Sequence, residues 1–203
     1  QKNNLIDFNE LIFSSKIEKK EDSTIVSFYI ESKNGEKIYL KYKLPFKGYV
    51  IENKITFSNY KTELDKLNLF WSNNVIHHEK NYEYEKSVTT INYYDINNQY
   101  DYLTASSKEI IEKNLTIPLK WISTKQQYFS SAIISKNNFN NSFLKTIYNS
   151  DTSYVKSSII ETEIPINNNS SDFLFYFGPN KLEILKSISD GFDKNVYLGW
   201  WGV

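Results

Sequence analysis

The apolar residues of this chain recur with a period of two, and that period fixes the class of fold open to it. Ile38, Leu40, Tyr42 and Leu44 alternate with Tyr39, Lys41 and Lys43. Successive side chains of a strand point to opposite faces, so this run makes a strand with one apolar face. Asn34-Gly35 stands just before it, and both residue types tolerate the positive φ of a type I′ turn. With Ile25 to Ile30 upstream, the pattern predicts a hairpin. Pro45 has no N–H to give a ladder and ends the second strand. Tyr49, Ile51, Asn53, Ile55 and Phe57 repeat the same period and read as a third strand.

The signal continues downstream. Leu67 to Trp71, Val88 to Tyr94, Leu119 to Ser123, Tyr128 to Ile134, Phe143 to Tyr148, Ile159 to Ile166 and Phe173 to Phe177 all read as strands. Val88 to Tyr94 is β-branched and aromatic, which suits a pleated, half-buried surface. The 16 Tyr and 13 Phe lean the same way. Ser106 to Asn114 reads as a helical turn or a loop. The Asn-rich stretches Asn137 to Asn141 and Asn167 to Asn169 read as loops, because Asn satisfies backbone groups locally. Many strands separated by turn signals predict a mainly β, antiparallel sandwich.

The period changes at Gly178-Pro179. Leu182, Leu185 and Ile188, with Ile184 beside them, make the apolar stripe of a short helix. Pro179 suits its first turn and Gly191 a left-handed C-terminal cap. An aromatic tail follows. Tyr197, Trp200 and Trp201 have two readings: rings at a membrane interface, or rings packed back on the sheet. The strands thus lie within 1–178, and the helix and aromatic tail follow over 179–203.

The chemistry is sparse. The 24 basic residues are all Lys and balance 24 acidic ones. A neutral chain without Arg lacks the forked donor that reads phosphate and bases, so no nucleic-acid partner is expected. There is no Cys, hence no thiolate nucleophile or thiolate metal site. His77-His78 are neighbours whose rings diverge on a strand, so they read as a solvated strand end and not as paired metal ligands. Glu79, Glu83 and Glu85, interleaved with Lys80 and Lys86, read as a solvated face. Phosphate-binding glycine motifs and nucleophile elbows are absent. No catalytic, cofactor-binding or metal-ligating residue is expected, and no required small molecule. Trp121, Tyr128 and Phe129 are candidate cleft aromatics for a sugar or peptide, with core packing as the competing fate. No apolar run is long enough to span a membrane as a helix.

Several stretches resemble one family. LKWISTKQQYFSSA (Leu119 to Ala132), FYFGP (Phe175 to Pro179) and VYLGWW (Val196 to Trp201) resemble, in order and spacing, segments of the periplasmic domain of YidC/Oxa1-type membrane protein insertases. Tyr42 to Pro45, Tyr49 and Thr89 to Tyr94 look like the Bacteroidota versions. The resemblance covers roughly Glu36 to Val203. It implies a β-supersandwich over 1–178 closed by C-terminal helices, with more strands at the N-terminal side than this chain supplies, cut away from its membrane-spanning part. It further implies that 179–203 is the C-terminal helix and membrane-proximal segment of the same domain, where Leu182, Leu185 and Ile188 would dock the helix on the sandwich and Tyr197, Trp200 and Trp201 would lie near the headgroups. It further implies an accessory, non-enzymatic scaffold that assists insertion and folding of inner-membrane proteins beside the Sec translocon. Its partners would be Sec components such as SecF and nascent membrane proteins, and its place the periplasmic side of the cell inner membrane. A carbohydrate- or peptide-binding sandwich module is the alternative reading.

Overall fold

The computed structural model describes residues 6–61, 64–105 and 109–196. The strands are β1 (Ser14–Lys19), β2 (Ser23–Glu31), β3 (Lys37–Pro45), β4 (Val50–Ser58), β5 (Lys66–Ile76), β6 (Thr90–Asp95), β7 (Tyr100–Leu103), β8 (Ile110–Leu115), β9 (Leu119–Lys125), β10 (Phe129–Tyr148), β11 (Tyr154–Pro165) and β12 (Ser170–Pro179). Helix α1 (Tyr82–Val88) lies between β5 and β6, and α2 (Leu182–Ile188) follows β12. Single 3-10 turns, Phe8–Glu10 and Phe192–Asn195, occur near the two ends.

All pairings between strands are antiparallel. One large sheet runs β1-β2-β3-β4-β12-β10-β9-β6-β7, and a smaller one runs β5-β11-β10-β8. Strand β10 belongs to both. Its residues 129–135 pair with β12, its residues 140–148 with β11 and its residues 142–147 with β8. It changes sheet where Asn138 and Asn141 take positive φ (62° and 45°). Asn tolerates this left-handed region because its short amide bonds the local backbone. The Asn-rich stretch is therefore the bend of a continuous strand, where the sequence suggested a loop.

The two sheets enclose one core. Ile38, Leu40, Ile55, Phe57 and Phe173 face Leu144, Ile160 and Ile164 across it. A second cluster covers the outer face of the large sheet, with Tyr94, Trp121, Ala132, Ile134 and Tyr176 meeting Leu185 and Phe192 from the C-terminal segment. Along β10, Ile133 enters the first cluster while Ala132 and Ile134 enter the second. The central strands are thus apolar on both faces, and the C-terminal segment forms a third layer.

Local details differ from the sequence reading. The β2–β3 hairpin turns with Gly35 at φ 89°, closed by Gly35 N–H donating to Ser32 O (3.0 Å) and Ser32 N–H to Glu36 O (2.8 Å). Asn34 is not left-handed. The connection is a three-residue loop with the left-handed Gly last, not a two-residue type I′ turn. Residues 110–115 form strand β8, not a helical turn; Ile111 and Leu115 pack against the core. Pro179 ends β12 and lies before the helix. Gly191 is left-handed (φ 67°), yet it opens the following 3-10 turn, while α2 ends at an extended Ser189.

Candidate functional site

Among the described residues the most elaborate piece of chemistry is the joint between the large sheet and the C-terminal segment. The exit from β12 is held by Asn180. Its N–H donates to Tyr128 O (2.7 Å), its Nδ2 to Gln126 O (2.9 Å), and its Oδ1 accepts from Ser130 Oγ (2.6 Å). Tyr176 OH donates to Pro179 O (2.6 Å). Burial pushes the Tyr176 phenol up to about 12. These bonds turn the chain back over the outer face of the sheet.

Helix α2 has seven residues and no side-chain cap at Lys181. So short a helix is marginal alone and takes its stability from what it covers. Leu185 is completely buried, and Ile184 and Ile188 pack on the same cluster. Leu182 is half-buried and lies outside that cluster. The helix stripe is therefore Ile184, Leu185 and Ile188, with Leu182 at its margin. Beyond it, Gly191 passes so close to Tyr94 that a Cβ there would stand 2.4 Å from the ring.

Trp121 is the centre of this joint. It is fully buried, stacks on Tyr94 (5.8 Å between centroids), meets Phe192 edge-on (5.1 Å) and donates Nε1–H to Asp190 O (3.1 Å). The Lys120 ammonium pairs with the Asp190 carboxylate at 2.8 Å and holds it below the usual carboxylate range. Past Phe192, Asn195 is fully buried. It accepts from Asn92 Nδ2 (2.7 Å) and donates to Ser123 Oγ (3.0 Å), while Asn92 accepts from Thr90 Oγ1 (2.6 Å) and donates to Tyr100 OH (2.9 Å). Burial raises the Tyr100 phenol to about 12. A buried polar network of this kind, with its members partnered, fixes a unique register between the segment and the sheet.

The structure separates the three candidate cleft aromatics. Trp121 belongs to the core, because both its ring faces and its N–H find partners inside. Tyr128 and Phe129 lie 55% and 57% exposed at the β9–β10 turn. Tyr197, Trp200 and Trp201 fall outside the described residues.

Two further clusters bury charged side chains. Glu85 is not on a solvated face: it is 2% exposed. Its carboxylate takes His77 Nδ1 (2.5 Å) and the backbone N–H groups of His78 (3.3 Å) and Glu79 (3.2 Å). His77 is half-buried in this tie, which fastens the end of β5 to α1. Among the described residues no group of three or more His, Asp or Glu could hold a metal ion. Lys156 is 2% exposed, and its ammonium donates to Thr89 O (2.8 Å) and Thr104 Oγ1 (2.6 Å). Burial, aided by the charge of Lys86, pushes it down to about 8. Sequence reasoning missed Asn92, Asn195, Ser123 and Lys156. The one available signal was a polar residue inside an apolar strand run, as in Thr90-Ile-Asn-Tyr-Tyr94, and that signal names no partner.

Comparison with known proteins agrees with the resemblance noted in the sequence. The family model described as "YidC periplasmic domain" matches residues 6–203. The Membrane protein insertase YidC of Amoebophilus asiaticus is 30% identical over 167 residues, covering 78% of this chain and 28% of that protein. That of Cytophaga hutchinsonii is 27% identical over 213 residues, covering 96% and 34%. That of Porphyromonas gingivalis is 26% identical over 213 residues, covering 97% and 33%. The chain thus spans about a third of the length of these relatives. No helix among the described residues is long and apolar enough to cross a membrane. By its antiparallel sandwich, its docked C-terminal helix and these matches, the chain belongs to the YidC periplasmic domain family.

Proposed function

We propose that this sandwich is the accessory periplasmic domain of a YidC-type insertase, and that its C-terminal segment fixes it relative to the membrane-spanning part. The observation behind this reading is the joint itself. A seven-residue helix and a 3-10 turn are held by a separate apolar cluster and by the Asn92–Asn195–Ser123 network. A loose linker needs neither. The segment runs toward Tyr197, Trp200 and Trp201, whose ring types suit the headgroup region. In this reading the domain sits on the periplasmic side of the inner membrane. It acts as a scaffold for Sec translocon components and nascent membrane proteins, carries out no catalysis, and needs no cofactor.

The test is complementation. The full-length insertase is depleted and replaced by versions lacking either the sandwich through Phe177 or the segment 179–203. The scaffold reading expects loss of the segment to block insertion and loss of the sandwich to be tolerated. Full insertion without the segment would overturn it.

A further inference from the structure

The two ends of the large sheet are built from different residues. At one end lie the β2–β3, β6–β7 and β11–β12 connections, residues 32–36, 96–99 and 167–169. They are rich in Asn, and Ile96 is the one large apolar side chain in them. At the other end the neighbouring strands β4, β12, β10 and β9 bring the β3–β4 and β9–β10 connections together. These present Phe46, Tyr49, Tyr128 and Phe129, each between 43% and 57% exposed. Single exposed rings are ordinary, but a cluster of them marks a contact surface. The four strands occupy the middle of the sheet, so the cluster does not depend on what pairs with either sheet edge.

The charge at this end has one sign. Stretches 45–50, 125–131 and 176–181 hold Lys47, Lys125 and Lys181 and no acidic residue, in a chain of zero net charge. Lys47 and Lys181 are exposed; Lys125 is half-buried, and burial holds its ammonium below the usual lysine range. The flanks are balanced, with two Lys and two acids in residues 19–22, and Glu183 with Lys186 on α2. The rings are also held in place. Asn180 fixes the β9–β10 turn, its Nδ2 donating to Gln126 O (2.9 Å) and Phe129 O (3.2 Å) and its N–H to Tyr128 O (2.7 Å). Tyr49 O accepts from Phe177 N–H (3.0 Å), and the Tyr49 ring meets Tyr176 edge-on (6.2 Å). A surface fixed in advance loses little entropy on contact.

The C-terminal segment heads for the same end. Between Phe192, set against Trp121, and Asn195, set against Ser123, it advances along β9 toward the β9–β10 turn. Lys125 stands two residues beyond Ser123, roughly 7 Å along the strand. We propose that this end of the sandwich seats on the surface of an anionic lipid bilayer. Phe46, Tyr128 and Phe129 enter the headgroup layer, where aromatic side chains are favoured. Lys47 and Lys181 approach the lipid phosphates, an attraction that salt screens. A second copy of this chain fits poorly, because like charge would meet like. A bilayer meets the patch and the advancing segment together, whereas an acidic protein partner accounts for the patch alone. The proposal rests on the accessory reading above and adds to it the face that meets the lipid.

The test uses the 203-residue chain, which has no Cys and so takes a single fluorescent label at Gln127→Cys or, at the opposite end, at Asn97→Cys. On vesicles of phosphatidylglycerol and phosphatidylethanolamine, the label at 127 is expected to shift to the blue and the label at 97 to stay unchanged. Phosphatidylcholine vesicles should bind the chain at least tenfold more weakly. Lys47→Gln with Lys181→Gln should lower partition onto the anionic vesicles at least fivefold, with an unchanged melting temperature. No shift at 127, equal shifts at both labels, or equal binding to both lipids would overturn the proposal. So would a shift at 127 produced by soluble polyglutamate and not by vesicles, which assigns the patch to an acidic protein. Complementation without 179–203 reads a different property, so the two readings fail separately.

Discussion

Lys156 shows how a single side chain sets the response of the fold to pH. Its ammonium is buried against Thr89 and Thr104, with the charge of Lys86 nearby, so the folded state holds the proton less tightly than the unfolded chain does. The unfolded lysine titrates near 10.5 and the folded one at about 8. Below pH 8 both states are protonated and the burial penalty is present in full. Between about 8 and 10.5 the unfolded state binds more protons, so stability rises with pH. Tyr100 and Tyr176, raised from 10 to about 12, act in the opposite sense above pH 10. Stability is therefore expected to climb from pH 8 to 10, by on the order of 1–3 kcal/mol, and then to fall. Lys156→Met should flatten the rising limb and leave the falling one, as read by urea denaturation across pH. At the joint, Gly191→Ala combines a positive φ with a Cβ driven into the Tyr94 ring. A loss of about 2–4 kcal/mol is expected in the same assay.

At the scale of elements, α2 owes its existence to the sheet it covers. Leu185→Ala removes its fully buried anchor and should cost about 2–5 kcal/mol. Leu182→Ala, at the margin of the stripe, should cost under about 1 kcal/mol. Thermal melting of the two variants checks the contrast. Legibility from sequence divides along the same line. The strands with clean alternation, β3 and β4, and the helix stripe were readable because one face is wet and the other dry. Strands β6 and β9 were visible as β-branched and aromatic runs, but their burial on both faces was not, since periodicity carries no sign of a third layer. Strand β8 and helix α1 were hidden by charged residues. In α1 the decisive residue, Glu85, is buried by partners supplied by the end of β5, a contact local pattern cannot encode. The bend of β10 was misread because positive φ at Asn serves a loop and a strand crossover equally well.

For the whole molecule, the arrangement is a sandwich whose large sheet is apolar on both faces in the middle. One face is closed by the small sheet and the other by the C-terminal segment. Two apolar clusters share the backbone of β9, β10 and β12. Loss of the outer cluster should therefore weaken the sheet that the inner cluster depends on. Trp121→Ala, at the middle of that sheet, should cost about 3–5 kcal/mol and lower the midpoint of the whole unfolding transition without splitting it in two. The central claim is that residues 182–196 are an integral layer and not a tether. The measurement that tests it most directly is native-state amide hydrogen exchange on the 203-residue chain. Hydrogen-bonded amides of α2 and of the 3-10 turn are expected to exchange only by the openings that expose β9 and β12, with the same dependence on denaturant. Rapid exchange across 182–196 while β9 and β12 stay protected would contradict it.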